Sequence, residues 1–501
     1  MSRSVRRDFS TGMTWMSLAI WAEQAILFLS FIIYARLLGA EIVGIAMMAI
    51  AVVVLGETLV RETFSDFLIQ HVDLESGHLT ATFWLLVAVA LVIIGAIWVA
   101  APSVATLYRE PRVEDLLRVS SVTVLFVALA AVPVARLRRR LDFSSLAIRT
   151  VLGPVVGAIA GVSAALAGWS VWSLVVQRIV QGIVTDGFVW LAETWRPGFS
   201  ASRKHIADVW KYSSRMLGLR FAAVLALQTP NYAISIFLGP AALALYTAAW
   251  RLVDALAFLI VAPLRFVSQP AFAALRVGEK AGAALLRDVS DASSLITFAS
   301  FAGLIAVAPA LLDVLLGKEW VAAAAIMQIL AIFGLYLTIE RIHEAYALAI
   351  GRASAMFGFA GVEGILGLFL VFLAAPHGVE YVAAAVATTY VVVWPFRLRY
   401  VTQLAQISTF RYALAFVGPA FMALVMMAIV MVWREYYARH WPALIDLTTS
   451  VLVGMLAYVA LCSFLLRQRV SRSARLFLAP KKAQSIIAPA PDSLQKGQEK
   501  P

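Results

Sequence analysis

The residues with chemistry to offer are ionisable side chains set inside long apolar stretches. Arg251 lies about ten residues into the apolar run 241–264, roughly 15 Å along a helix that rises 1.5 Å per residue. Asp254 follows three positions later and shares its helix face. Arg178 lies similarly deep in the run 171–191, flanked by Gln177 and Gln181. Glu23 and Gln24 stand midway along the run 11–38, and Glu363 midway along 353–374. An ionisable group at the centre of a bilayer costs about 2.5–3.5 kcal/mol, so such groups face a cavity or one another. The guanidinium fork suits bidentate contact with an oxyanion such as phosphate. The carboxylates of Glu23, Asp254 and Glu363 could take up a proton or a sodium ion. The plain structural alternative is an Arg251–Asp254 salt bridge that only joins helices. Arg36 and Arg61 stand near run ends, where they either reach a cavity or snorkel to the interface.

These residues must be held by membrane-spanning helices. Of 501 residues, 62% are hydrophobic and 14% charged, with mean hydropathy +0.87. Soluble globular chains carry about 25% charged residues, so this composition cannot cover a soluble fold. Fourteen runs are long enough to span: 11–38, 42–60, 80–101, 116–134, 146–167, 171–191, 216–238, 241–264, 295–316, 321–339, 353–374, 379–401, 412–433 and 444–466. The first is too long for a signal-peptide core and no cleavage signal follows it, so it is expected to stay in the mature protein. Cys462 is the single cysteine, which excludes an intrachain disulfide and a cysteine-cluster metal site. No G-x-x-x-x-G-K-[ST] loop is present, so ATP hydrolysis by this chain is not expected, and no cofactor is implied.

Charge distribution orients the runs. With the N-terminus cytoplasmic, 32 of the 41 Lys and Arg fall on the cytoplasmic side and 7 outside. The inside group includes residues 136–149, 196–220, 265–287, Arg397 and everything from Arg467 onward. This is the positive-inside pattern, with both termini cytoplasmic and an even number of spans. The net charge of +12 is thus an inner-leaflet signature. No basic, aromatic-interleaved soluble module suggests nucleic-acid binding.

The chain also repeats itself. Leu38-Gly39 recurs as Leu238-Gly239, "APSVATLYRE" at 101–110 is echoed by "APALLDVLLGKE" at 308–319, and "GWSVWSLV" near Gly168 by "HGVEYVAA" near Gly378. The expected architecture is therefore an all-α polytopic membrane protein of about fourteen transmembrane helices. It comprises an N-terminal six-helix lobe (1–193), an amphipathic cytoplasmic linker (194–215) and a second, parallel six-helix lobe (216–408). Two further helices (409–466) and a basic, then disordered tail (467–501) follow.

The segments "YARLLGAEIVGIAMMAIAVVVL", "FLIQHVDLESGHLTATFWL", "VPVARLRRRLDF", "LAGWSVWSLVVQ" and "YTAAWRL" resemble the polysaccharide transporter family. These are the Wzx-type flippases, within the superfamily of multidrug, oligosaccharidyl-lipid and polysaccharide exporters. The segment "LVRETFSDFLIQ", with Arg61, departs from the apolar, Gly-rich pattern expected there. The resemblance implies a non-enzymatic flippase in the bacterial inner membrane. It would move undecaprenyl-diphosphate-linked oligosaccharide for lipopolysaccharide or exopolysaccharide synthesis, working beside polymerase and export machinery. Arg251 and Arg178 would then contact the diphosphate, with Arg36, Arg61, Gln177 and Gln181 also lining the cavity. Two alternatives stay open: a drug/cation antiporter of the same superfamily, and a membrane polymerase or ligase. The last needs a sizeable external loop, and the longest expected, 102–115, is short.

Overall fold

The computed structural model describes residues 3–70, 75–273, 280–438 and 440–465, and among these there is no strand. Fourteen α-helices follow in order. They are α1 (Arg3–Gln70), α2 (Ser76–Tyr108), α3 (Arg112–Ser120), α4 (Val122–Arg139), α5 (Phe143–Leu166), α6 (Trp172–Ala192) and α7 (Arg203–Phe237). Then come α8 (Pro240–Ala273), α9 (Lys280–Leu315), α10 (Ala324–Ala349), α11 (Ala353–Ala374), α12 (Val379–Leu404), α13 (Thr409–Trp433) and α14 (Ala443–Leu465). Short 3-10 turns occupy Lys318–Ala323 and Ala375–His377, and a π-helical turn Arg434–Ala438. The basic and disordered tail expected at 467–501 lies outside the described residues.

Among the described residues, twelve stretches are long and apolar enough to cross a membrane. One of them, Trp15–Arg61, has 47 residues, about 70 Å of helix against a hydrocarbon core of about 30 Å. It is broken at Gly39, where φ is 75° and ψ 173°, a conformation open essentially to glycine alone. The runs 11–38 and 42–60 are thus two limbs of α1. The run 216–238 forms the second half of α7, whose first turns carry the basic segment. Residues 194–202, expected within the amphipathic linker helix, are not helical; Ser202 caps α7 instead. The expected 102–115 loop is also mostly helix. α2 continues to Tyr108, Arg109 closes it with φ 54°, and α3 begins at Arg112.

Each repeated corner contains a left-handed residue. Gly39 and Gly239 have φ 75° and 85°, and Gly168 and Gly378 86° and 135°. Arg109 and Gly317 have 54° and 105°. A fourth pair, Leu141 and Gly351 at 59° and 75°, stands at the same spacing where the residues themselves show no similarity.

The chain divides into two compact units. One comprises Met1–Arg251, Leu315–Ile326 and Gly364–Val386; the other comprises Leu252–Val314, Met327–Glu363 and Ala387–Pro501. In the first, the polar groups at the α1 break are satisfied by a segment distant in the chain, as a helix end in an apolar setting requires. Arg36 Nε donates to the Leu315 carbonyl at 2.8 Å, and the Ala40 N–H donates to Glu319 Oε1 at 3.0 Å. Trp320 Nε1 donates to the Ala35 carbonyl at 3.2 Å. In the same unit Gly153, Gly157 and Gly161 of α5 line up against Thr185, Gln181 and Gln177 of α6. A Cβ at Gly157 would lie 2.7 Å from Gln181 Cβ, and one at Gly161 2.6 Å from Gln177 Cβ. Close backbone approach of this kind is how helices associate without a hydrophobic driving force. The second unit packs around Phe272, Leu286, Ile339, Tyr346, Tyr412 and Phe416.

Gly157→Leu is expected to force α5 from α6 at an overpacking cost of about 1–3 kcal/mol. Thermal unfolding of detergent-purified protein should show a melting temperature lowered by several degrees. Gly187→Ala on α6, where nothing lies within 4 Å of the added methyl, should leave it unchanged. Equal melting temperatures for both variants would remove the glycine stripe from the packing account.

Candidate functional site

The first unit carries a charge-balanced polar network within its helices. Arg178 of α6 reaches Glu57 in the second limb of α1, its Nη2 donating to both carboxylate oxygens at 2.8 Å. Thr123 of α4 donates to Glu57 Oε1 at 2.5 Å. Arg149 of α5 pairs with Asp186 of α6 at 3.3 Å. Glu23, in the first limb of α1, lies within electrostatic reach of Arg61 and Arg149, and Arg61 also acts on Glu57 and Asp186. Three acids therefore face three bases. Burying charge this way demands pairing, because removing one partner leaves an uncompensated ion.

The second unit has its own cluster, built on Arg397 of α12. Its Nη1 lies 3.0 Å from Glu340 Oε1 of α10 and 3.0 Å from Glu363 Oε1 of α11, and donates to Tyr336 Oη at 2.7 Å. Tyr336 Oη in turn donates to Glu363 at 2.8 Å. Arg397 is 6% exposed and His343 fully buried. Tyr412 Oη donates to Ser290 at 2.6 Å and meets His343 Nε2 at 3.0 Å. With its hydrogen committed to Ser290, the phenol oxygen accepts from Nε2, which assigns the ring proton there and leaves Nδ1 a bare acceptor. Glu340 Oε2 lies 3.9 Å from that Nδ1, and both atoms are buried without a hydrogen-bond partner. The same unit holds a cavity of about 790 Å³ among α9, α13 and α14, lined by Leu295, Val307, Met426, Val430 and Met455. Its walls suit hydrocarbon rather than a glycan.

The residues singled out in the sequence are distributed as follows. Arg178 and Arg61 share Glu57, and Glu23 joins them. Gln177 and Gln181 lie beside Arg178 but pack on the α5 glycines. Arg36 caps the end of α9. Arg251 is half-buried with its guanidinium 4.6 Å from the Phe31 ring centroid, a cation–π contact, and Asp254 is exposed on α8. Glu363 belongs to the Arg397 cluster. Sequence reasoning missed Glu57, Asp186, Glu340 and His343, and counted Arg397 and Arg149 among loop charges. Arg397 is buried in α12, so its charge does not belong to the inside tally. The signal for Glu57 was its i,i+4 spacing to Arg61; nothing local marked the others.

The comparisons accord with this architecture. The family described as polysaccharide biosynthesis protein matches residues 33–325. The succinoglycan biosynthesis transport protein ExoT of Rhizobium meliloti (strain 1021) is 25% identical over 459 residues, 89% of this chain and 91% of that protein. The teichuronic acid biosynthesis protein TuaB of Bacillus subtilis (strain 168) is 23% identical over 466 residues, 91% of this chain and 96% of that protein. Among solved structures, the lipid II flippase MurJ in an inward closed conformation superposes with a TM-score of 0.76 at 14% identity, covering 91% of this chain and 99% of that one. An inward-facing multidrug resistance MATE family transporter gives 0.58 at 15% identity, covering 77% and 96%. With more than half its length matched, this multi-pass, all-helical chain belongs to the polysaccharide biosynthesis protein family.

Proposed function

We propose that the protein is a flippase for lipid-linked polysaccharide precursors, moving undecaprenyl-diphosphate-linked oligosaccharide across the bacterial inner membrane from the leaflet beside the basic loops. The observation that carries this reading is the family match together with near full-length similarity to a succinoglycan biosynthesis transport protein. Both termini are then cytoplasmic. α1 crosses twice about Gly39, α7 crosses once, and the chain makes fourteen passes. The matched left-handed corners support two parallel six-helix halves. A surface polysaccharide, exopolysaccharide or lipopolysaccharide, is the product served. The reading needs no bond chemistry, and the three-residue connection between α2 and α3 offers no room for the external catalytic loop of a polymerase.

In this reading Arg251 and Arg61 contact the diphosphate, while Arg178, held by Glu57, braces the helices. Arg36, Gln177 and Gln181 shape the path by holding its walls. A doubly negative headgroup moving outward gains about 2.3 kcal/mol per charge per 100 mV of inside-negative potential. Protons add a second source through the Arg397 cluster. Two carboxylates there share one guanidinium, leaving one negative charge in excess. A single proton between Glu340 Oε2 and His343 Nδ1 would satisfy both bare acceptors and neutralise the site. Glu363 thus takes part in coupling as the partner of that pair, and Glu23 and Asp254 are further coupling candidates.

Arg251→Ala is expected to lower translocation of lipid-linked oligosaccharide into the outer leaflet roughly ten- to a hundred-fold, the loss of one charged hydrogen bond worth about 1.5–3 kcal/mol. The measurement is a reconstituted-vesicle assay, with polymer restoration in a deletion strain beside it. Wild-type rates at normal abundance would refute the assignment. A strain lacking the protein yet making normal polysaccharide, with changed sensitivity to cationic drugs, would refute the flippase reading itself.

Glu57→Ala is expected to destabilise the protein by about 3–5 kcal/mol, leaving Arg178 buried and unpaired. Glu57→Leu combined with Arg178→Leu should recover both abundance and transport. A folded but inactive double variant would make Arg178 a substrate contact instead.

Glu340→Gln is expected to leave potential-driven transport intact and abolish its response to an imposed pH gradient. A retained response would remove this carboxylate from coupling.

A further inference from the structure

Four side chains with ligand chemistry gather outside the network described above, where the first turns of α2 and α7 meet. Each helix opens with a capping box whose third position is a histidine, His78 in α2 and His205 in α7. The Nδ1 of each ring accepts from the N–H of its own cap, Glu75 or Ser202, at 3.3 Å. Each Nε2 therefore points away from the cap of its own helix. His205 Nε2 lies 2.9 Å from Glu75 Oε2, and His78 Nε2 3.8 Å from Asp208 Oδ2. The two ring centroids are 4.5 Å apart. The His205 ring rests on bare backbone at Gly77, where an added Cβ would fall 3.0 Å from its Nε2 and closer still to Nδ1 and Cε1. His78 is 6% exposed.

We propose that Glu75, His78 and His205 form a binding site for a divalent transition-metal ion of the zinc class, with Asp208 placed to complete it. One ligand atom from each of the three lies within 4.8 Å of the others. A tetrahedral ion with bonds of about 2.0–2.2 Å sets its ligands roughly 3.3 Å apart, so small side-chain rotations close the site. Two imidazoles with a carboxylate select zinc-like ions over magnesium or calcium, which want oxygen alone. Metal bonding at Nε2 moves each ring proton to Nδ1 and opens the two Nδ1 capping contacts. Each cap keeps its other arm, the N-cap side chain accepting from the third backbone N–H. The ligands come from two helices, so the ion would clamp α2 to α7. Neither the family match nor the transport reading assigns such a site.

The test uses full-length protein purified in detergent, stripped with a chelator and titrated with zinc chloride or magnesium chloride. Calorimetry and thermal unfolding are read in parallel. Zinc alone should bind and raise the melting temperature by several degrees. His205→Gln, His78→Gln and Glu75→Gln should each weaken binding at least about ten-fold, and His377→Gln should not. Three variants keep the test decisive if one fails to fold. Folded wild-type protein that takes up no zinc would overturn the proposal, as would binding unchanged in the ligand variants. A melting temperature that responds to acid but not to metal would overturn it in favour of a protonated histidine–carboxylate contact.

Discussion

In hydrocarbon a charge is tolerable only beside its counter-charge, and this requirement decides which helices of this protein lie together. Glu57 and Arg178 are 121 residues apart in the chain, yet their contact ties the second limb of α1 to α6, and Thr123 adds α4. Arg149 and Asp186 tie α5 to α6 a little further along. Arg397 joins α10, α11 and α12. Breaking such a pair costs several kcal/mol, whereas a half-exposed helical pair such as Glu114–Arg118 is worth a few tenths. The buried pairs therefore act as registers. A helix that slides by a turn loses its counter-ion and pays far more than the apolar contacts around it could return.

The backbone faces the same requirement. Each break in a helix frees carbonyl and amide groups that hydrocarbon cannot satisfy. At the α1 break the answer comes from one distant segment, through backbone and side chains alike. Leu315 offers a carbonyl to Arg36, Glu319 a carboxylate to the Ala40 amide, and Trp320 an indole N–H to the Ala35 carbonyl. Gly39 allows the bend, and these three bonds fix its direction. Arg36 is thus bound by backbone chemistry before any ligand arrives.

Much of this was legible before any coordinates. Long apolar runs report spans because only a helix can carry its own backbone through a bilayer, and glycines flanked by apolar runs report corners because φ near +75° excludes other residues. Leu141 escaped notice because it is a non-glycine residue in a left-handed conformation. Partnership was not legible. Nothing in the local sequence of Arg178 names Glu57, and Arg397 reads as an interfacial charge because polar residues follow it closely. The basic linker hid its histidine, since His205 gains meaning only beside His78 and beside Glu75, 130 residues earlier.

Charge balance also constrains how an anion could be carried. In the first unit three acids already occupy the field of Arg61, Arg149 and Arg178, so in the proposed function an entering diphosphate would compete with carboxylates for those three. A headgroup that took Arg61 would weaken the hold on Glu57 and Glu23, and a carboxylate left behind in low dielectric would become tolerable by taking a proton or a cation. In that reading substrate binding and cation uptake would be linked through one shared counter-charge, without a dedicated signalling path between sites. The linkage is reciprocal. In the proposed function a cation that quiets Glu23 would in turn free arginine charge for the substrate, and its loss would return that charge to the carboxylates.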